Sequence, residues 1–315
     1  MRIANNWKDY QLLDATCGER LEKWGSLTVI RPDPQVIWRT AQGFSWKNAD
    51  MHYYRSEKGG GEWQKATGTR NQSEIQAGVN FKEIITYSEV LKNNCNDYKF
   101  VVKPTDFKHM GLFPEQAVNW EYCNDVVGLN ILNLFAYTGA MSVVLAKKGA
   151  NVTHVDASKG IVNWAKENAE INGISNIRFI VDDCKKFVEK EIRRGKKYDI
   201  IIMDPPSYGR GSNGEVWKFE DNIYEFLILC KQIISENPRF IMLNSYTTGI
   251  SPSTVAHCVE TAFNERKYGK ENQLGLQKSS VSHGQVTYDE IGLKIETGGV
   301  LPCGSTVIWS PKATS

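Results

Sequence analysis

The sequence predicts an α/β protein: a doubly wound parallel-sheet domain over residues 111–315, preceded by a small β-rich (α+β) domain over residues 1–110. Three observations predict it. Residues 130–156 read as strand, tight turn, helix and strand, the second strand ending in Asp156. Residues 198–203 form a buried-strand pattern, apolar apart from Asp199, and run into Asp204-Pro205-Pro206. Helix and strand patterns alternate through the rest of the second domain, whereas the first carries short alternating segments rich in Trp, Tyr and Gly.

In the first domain, residues 27–31 (LTVIR) read as a strand before the turn Pro32-Asp33-Pro34, and 36–39 as another. Residues 52–55 and 62–65 flank Gly59-Gly60-Gly61 in a hairpin-like arrangement. Residues 82–86 and 98–102 complete the β-rich module. The glycine run is not followed by Lys-Ser/Thr, so no phosphate cradle is expected there. Trp38, Arg39, Trp46, Lys47, Tyr53, Tyr54 and Arg55 make an aromatic and basic run. It reads either as an RNA-stacking face or as the core of a small β module.

In the second domain, Ile131, Leu132, Leu134 and Phe135 give a strand, Ala136, Tyr137, Thr138 and Gly139 a turn, and 140–148 a helix. Asp156 follows the turn glycine by 17 residues and ends the strand 151–155. A carboxylate there is placed to accept hydrogen bonds from two ribose hydroxyls. The turn has one glycine where GxGxxG has three, which argues against a pyrophosphate. A nucleoside without phosphate needs one close backbone approach, and S-adenosylmethionine is such a ligand. Residues 159–172 repeat Ile161, Ala165 and Ala169 at helical spacing. The strand 177–183 ends in Asp182 and Asp183, one of which suits an adenine amino group. Asp183 directly precedes the helix 185–194, so it is an N-cap, the binder, or both. After 198–203, the two prolines fix the backbone and remove two amide donors, leaving an acceptor-rich strand end around Asp204. Ser207, Tyr208 and the glycines beyond predict a mobile loop with a ring available for stacking; Arg210 faces an anion or solvent. Helices at 221–236 and 253–266, a strand at 240–243, and last strands at 273–278 and 305–309 finish the domain.

These residues carry a resemblance. Residues 100–250 resemble the class I S-adenosylmethionine-dependent methyltransferases, in the branch related to bacterial 23S rRNA large-subunit methyltransferases. The matching motifs are NLFAYTGAMS from Asn133, VDASKGIVNWAKENAEING from Val155, DDCKKF from Asp182 and DPPSYGRG from Asp204. Upstream, KHMGLFPEQ resembles the G-x-F-x-D-Q-R motif, with Glu115 for the Asp, Gln116 for the Gln and Ala117 in place of the Arg. The resemblance implies a Rossmann-like seven-stranded methyltransferase domain and S-adenosylmethionine as cofactor. It implies a cofactor site of Gln116, Asn133, Phe135 to Gly139, Asp156, Ala157, Ser158, Asp182, Asp183 and Asp204. The first domain is then a substrate-recognition domain, and the implied substrate is ribosomal RNA.

Composition sets limits. Net charge is +2, which neither demands nor excludes nucleic acid. The seven cysteines contain no CxxC, and the five histidines show no ligand spacing, so no metal is expected. The N-terminus has no signal-peptide pattern and no apolar run reaches transmembrane length; a reducing cytoplasm and no membrane partner are expected.

Cytosine-C5 members of the branch need a thiolate after the fifth strand. Here that strand is followed by Asn244, Ser245, Tyr246, Thr247, Thr248 and Gly249, with no cysteine. Cys184 and Cys230 fall inside helices, where a buried inert thiol is expected. Direct transfer to an amine or hydroxyl remains, with Asp204, Pro205, Pro206 and Tyr208 as the catalytic set. Methyl transfer to a protein side chain or small molecule is the alternative, and a non-catalytic cofactor-binding scaffold is the alternative from another class.

Overall fold

The computed structural model describes residues 1–41, 44–56, 60–66, 81–90, 95–210, 216–264 and 284–312. Two units divide the chain. The first holds Met1–Tyr122, Glu170–Gly173 and Ile291–Cys303; the second holds Cys123–Ala169, Ile174–Glu290 and Gly304–Ser315.

In the first unit, β2 (Tyr10–Thr16), β3 (Glu19–Trp24), β4 (Leu27–Pro32), β5 (Met51–Arg55) and β6 (Gly61–Lys65) form a sheet in chain order. Neighbours are antiparallel except β4 and β5. The β2–β3 turn is Cys17-Gly18, both residues at positive φ (55° and 82°). Two left-handed residues give the turn twist that suits a two-residue hairpin. The expected strand at 36–39 does not form. Its carbonyls instead cap that turn: Cys17 N donates to Trp38 O at 2.9 Å and Gly18 N to Val36 O at 2.9 Å. A short helix α1 (Phe44–Lys47) precedes β5, and β7 (Glu83–Val90) pairs with β8 (Cys95–Val102) as a separate antiparallel ribbon. β1 (Arg2–Ala4) pairs with residues 291–293. A 3-10 turn, Pro114–Gln116, leads into α2 (Ala117–Tyr122).

The aromatic and basic run of the first domain is divided, with Trp38 half-buried and Arg39, Lys47 and Arg55 exposed. Trp46 and Tyr53 are buried, and Trp46 donates to Asp14 Oδ2 at 2.7 Å; Tyr54 remains exposed. Beneath the sheet lies a buried charge group. Glu22 takes Arg31 through Nη2 at 2.9 Å and through Nε, and accepts from Tyr10 OH at 2.8 Å. Arg31 also lies 5.6 Å over the Trp24 ring. Burial alone raises the Glu22 pKa, but the Arg20 and Arg31 guanidiniums outweigh it and hold the carboxyl at about 2.

The second unit contains β9 (Asn130–Leu134), α3 (Ala140–Lys147), β10 (Asn151–Asp156), α4 (Lys159–Ile171), β11 (Arg178–Val181), α5 (Cys184–Arg193) and β12 (Ile200–Met203). Then come β13 (Tyr208–Arg210), β14 (Val216–Lys218), α6 (Phe219–Lys231), β15 (Phe240–Ser245), α7 (Pro252–Phe263), and β16 (Gly284–Lys294) and β17 (Val300–Pro311), whose residues 291–303 belong to the first unit. The sheet order is β1-β16-β17-β15-β12-β9-β10-β11, eight strands with β1 at one edge. β9 to β12 and β15 run parallel, and β17 returns antiparallel to β15. The expected α/β class is present, and β1 adds an eighth strand beside β16 to the seven that were expected. The strand expected at 273–278 lies outside the described residues; β16 stands next to β17 in its place. Leu132, Leu134 and Val155 join the apolar core with α5, α6 and α7. The alternate residues Asn133 and His154 point to the other face, where both meet Ser142 of α3.

His154 is fully buried and its pKa is lowered to about 3 by burial. His109, in the first unit, is likewise lowered to about 3 by burial, then by Arg31 and Lys108. Unfolding restores both toward about 6.5, so the unfolded chain binds protons that the native chain does not. The contribution of these two histidines is therefore expected to be flat above about pH 7 and to fall from there toward about pH 5, by up to about 1.4 kcal/mol per pH unit for each histidine. At lower pH, the raised carboxyls Glu115 and Asp156 act in the opposite sense. Urea midpoints across this range check it, and an unchanged midpoint between pH 7 and 5 refutes it.

Candidate active site

The strand order reverses between β9 and β12, so a crevice opens at their carboxyl ends. The turn after β9 is built in an uncommon backbone. Phe135 and Tyr137 have φ of 52° and 49°, and Gly139 has 82°. A left-handed conformation costs a non-glycine residue about 1–2 kcal/mol, so the surroundings must hold it. Phe135 N donates to Cys184 Sγ at 3.2 Å and Ala136 N to Val155 O at 3.1 Å. Tyr137 N donates to Asp156 Oδ2 at 3.0 Å, and Thr138 O accepts from Asn168 Nδ2 at 2.8 Å. Gly139 is required by its φ and by α4: a Cβ there would stand 2.8 Å from the Ala165 Cβ. The turn glycine therefore meets a packing requirement of α4 in addition to its backbone conformation.

Asp156 ends β10. Its Oδ2 holds the turn, and its Oδ1 accepts from Ser158 N at 3.0 Å. Burial raises its pKa, and the amides of Ser158, Tyr137 and Ala157 offset part of that. Ala157 and Ser158 follow it, exposed. Past β11 the two acids divide their tasks. Asp182 pairs with Lys190 Nζ at 2.6 Å. Asp183 caps α5, its Oδ1 accepting from Lys186 N at 2.9 Å, which leaves Oδ2 for a ligand donor. Asn133 is turned inward, donating to Ser142 Oγ at 2.9 Å. It supports the turn from below and does not face the crevice, a correction to its expected contact. Gln116 belongs to the first unit, where its Oε1 accepts from Asn119 Nδ2 at 2.7 Å. Beside it, Glu115 is buried with Oε2 unpartnered among the described residues, and burial raises its pKa.

At the end of β12, Asp204 N donates to Leu134 O at 3.3 Å, tying this exit to the end of β9. The segment beyond is a β-ribbon, where a mobile loop was expected. β13 pairs with β14, Tyr208 opposite Lys218, and residues 211–215 lie outside the described residues. Trp217 explains the order. Its Nε1 donates to Pro206 O at 2.7 Å, and its ring stands 5.1 Å from Phe135 and 5.6 Å from Phe226. Ser207 accepts from Phe219 N at 3.0 Å and from Thr247 Oγ1 at 3.0 Å. Trp217 and Cys184 are the site-forming residues that the motifs did not single out; an aromatic two positions before Phe219 in a polar run was the available signal. Tyr208 is 53% exposed, so its ring has no core to join. Tyr246 packs on β17 instead, its ring within 2.8 Å of where a Cβ on Gly304 would stand. Cys184 and Cys230 are buried, and burial raises both thiols. No group of side chains among the described residues is arranged to hold a metal, and no helix among them is long and apolar enough to cross a membrane.

Three carboxylates, Asp156, Asp183 and Asp204, thus stand at or just beyond the ends of β10, β11 and β12. Such a set suits a ligand with ribose hydroxyls, an adenine amine and positive charge, and S-adenosylmethionine has all three. A profile of S-adenosylmethionine-dependent methyltransferases matches residues 87–225. The crystal structure of the SAM-dependent methyltransferase from Agrobacterium tumefaciens is 32% identical, covers 99% of this chain and 93% of its own, and superposes with a TM-score of 0.77. The chain belongs to the S-adenosylmethionine-dependent methyltransferases. The protein SMU.776, solved with S-adenosylhomocysteine, shares the fold at 20% identity, with a TM-score of 0.67 over 97% of this chain and 76% of its own. Among curated relatives, ribosomal RNA large subunit methyltransferase K/L of Shewanella frigidimarina is 31% identical over 59% of this chain and 24% of its own length. Ribosomal RNA large subunit methyltransferase I of Aeromonas hydrophila is 32% identical over 42% of this chain and 34% of its own length. The matched part thus spans about a quarter to a third of these relatives.

The donor set makes Asp156 the residue to test for the cofactor. Asp156→Ala removes a charged acceptor from the turn amides and from the position where a ribose is expected. It is expected to weaken S-adenosylmethionine by about 2 kcal/mol, roughly 30-fold. Calorimetric titration checks this, and an unchanged affinity places the ribose elsewhere.

Proposed function

We propose that this methyltransferase transfers the methyl group directly to an amine or hydroxyl of RNA, ribosomal RNA being the substrate that the curated relatives' names point to, and that it works in the cytoplasm. The exit of β12 carries the reading: an acceptor-rich strand end with an exposed tyrosine on the ribbon beside it. When bound, S-adenosylmethionine supplies a methyl group already activated by its sulfonium. The residues of this chain have only to hold the acceptor in line with it. Asp156 takes the ribose hydroxyls, Asp183 the adenine amine, and the turn Phe135 to Gly139 shapes the wall of the pocket; Ala157 and Ser158 complete the proposed set. Pro206 O already accepts from Trp217, and the Asp204 carboxylate is the charged acceptor assigned to the substrate. Asp204 orients the acceptor N–H or O–H and takes up the proton released as the new bond to carbon forms. Tyr208 stacks on the base.

The residues after β15 carry hydroxyl and aromatic groups where a covalent cytosine-C5 mechanism places its thiolate. The test is twofold. Ribosomal RNA from cells lacking the gene is expected to lose one methylated nucleoside by mass spectrometry, and 5-fluorocytidine-substituted RNA is expected to form no adduct. An unchanged RNA methylation pattern, with methyl incorporated into protein or a small molecule, defeats the RNA reading; a trapped adduct defeats the direct one.

A further inference from the structure

Three buried polar atoms of the first unit have no hydrogen-bond partner among the described residues: Arg20 Nε, His109 Nδ1 and Glu115 Oε2. They share one electrostatic neighbourhood, because the charges of Arg20 and Arg31 are felt at Glu115, at His109 and at Lys108. Arg20 of β3 stands directly opposite Arg31 of β4 in the antiparallel register, so the two side chains share one face of the sheet. Like charges placed in this way repel.

Ion pairing accounts for only part of this. Glu22 and Asp33 balance the two arginines in charge but not in hydrogen bonds. Arg31 takes both oxygens of Glu22, and Tyr10 OH adds a further donor to them. Arg20 comes nearest these acids through Nε, 3.6 Å from Glu22 and 3.5 Å from Asp33. It donates no hydrogen bond to a described residue, although it is only 5% exposed. Lys108 brings a third cation, half-buried, with no acid in ion-pair reach among the described residues. Its Nζ donates to Pro32 O at 3.1 Å, and its carbonyl accepts from Arg31 Nη1 at 3.2 Å. Burial favours the neutral form of Glu115, in which the carboxyl can donate. Three cations then face the carboxylates of Glu22 and Asp33 alone. Water molecules would satisfy the orphaned donors but not the excess charge.

We propose that Arg20, Lys108 and Glu115 form an oxyanion site in the first unit that takes a phosphate group of the RNA substrate; the inference rests on the RNA reading above. Arg20 offers a planar donor fork, Lys108 an ammonium and Glu115 a carboxyl O–H, a set suited to the oxygens of one phosphate. His109 follows Lys108 as a neutral imidazole with a polar edge. A phosphodiester carries a single negative charge, which matches the excess. The site adds affinity for the substrate and takes no part in the methyl transfer itself.

Lys108→Met is the test variant, because it removes a cation and leaves the contacts among Arg20, Arg31, Glu22 and Asp33 in place. Its affinity for S-adenosylmethionine is expected to match the parent, which shows that it is folded. Calorimetric titration with inorganic phosphate at matched ionic strength is expected to show binding to the full chain, at least about tenfold weaker binding to Lys108→Met and near-parent binding to Lys108→Arg. In steady-state methyl transfer to a large-subunit rRNA transcript, Lys108→Met is expected to raise KM for the transcript at least about tenfold, with kcat within about threefold of the parent. Glu115→Gln keeps a neutral donor and is expected to bind phosphate within about threefold of the parent. Binding tighter by about tenfold would mean that Glu115 is ionised in the parent and cancels the excess charge, which overturns the proposal. If the transcript is methylated but the parent binds no phosphate, or Lys108→Met binds it equally, the oxyanion site is wrong and the RNA reading stands. If Lys108→Met loses phosphate but keeps the parent's KM for the transcript, the site serves a free phosphate and its substrate role is overturned. Displacement of phosphate by S-adenosylmethionine assigns the site to the cofactor's carboxylate and overturns it likewise. If the parent neither binds nor methylates the transcript, the RNA reading falls and the inference with it.

Discussion

Glu22→Ala is expected to lower the unfolding free energy by about 3–5 kcal/mol, because it leaves buried arginine charge without its partner. Glu22 is wholly buried in β3, and Arg31 of β4 is almost as buried. The two share a forked pair, Tyr10 OH closes a third bond, and Arg20 Nε stands 3.6 Å from the same carboxylate. Removing the acid strips Arg31 of this partner while its Nη1 still donates to Lys108 O at 3.2 Å. The intact pair need not be a large net gain, since desolvating both ions offsets their attraction. The double variant Glu22→Leu, Arg31→Met should therefore recover much of the loss, and the double-mutant cycle isolates the coupling. Because the native carboxyl is held at about 2, below its ordinary 4.5, the contribution is fully present above about pH 4.5 and is lost as pH falls through about 2. Urea denaturation at pH 7 gives the number. A loss under about 1 kcal/mol for the single variant would mean that the cation finds another partner, with Asp33 the nearest candidate at 3.5 Å from Arg20.

The second unit was more legible in the sequence than the first, and the reason is physical. Buried parallel strands such as Ile200–Met203 are apolar on both faces, and amphipathic α4 and α5 repeat at helical spacing, so each element declares itself within one window. In the first unit β2 and β3 were missed because their strands carry Asp14, Glu19, Arg20, Glu22 and Lys23, and the turn between them is Cys17-Gly18. Alternation cannot reveal a strand whose buried positions hold Arg20 and Glu22, charges satisfied only by neighbours on other strands. The short β1 and the helix α2 gave no period to read at all. At the site, Asp156, Asp183 and Asp204 were legible because strand ends and a helix start fix them. Gly139 was legible as an essential glycine, but its contact with Ala165 of α4 was not. The roles of Trp217 and Cys184 were not legible. Each acts through one long-range bond, to Pro206 O and from Phe135 N, and no local pattern encodes the partner.

Asp204→Ala is expected to reduce kcat by about 10²-fold, near 3 kcal/mol, with cofactor affinity within a few-fold of the parent. The structure narrows why. Asp204 is anchored through its own amide to Leu134 O, and Pro205 and Pro206 supply no amide donors. Trp217 takes one lone pair of the Pro206 carbonyl. The Asp204 carboxylate is the charged acceptor proposed for this strand end. Its attraction grows as positive charge develops on the acceptor atom, so its loss falls on the transition state more than on binding. Asp204→Asn keeps one acceptor oxygen at the same reach and is expected to lie between the parent and the alanine variant. Trp217→Phe keeps the ring packing on Phe135 and Phe226 but frees the Pro206 carbonyl, which gives the exit a second neutral acceptor. In the Asp204→Ala background it should not restore turnover, because a carbonyl cannot take up the released proton. Single-turnover kinetics with saturating cofactor separate the outcomes. If Asp204→Ala abolishes cofactor binding while methyl transfer at saturation proceeds at the parent's rate, Asp204 belongs to the cofactor pocket and the acceptor is oriented by some other group.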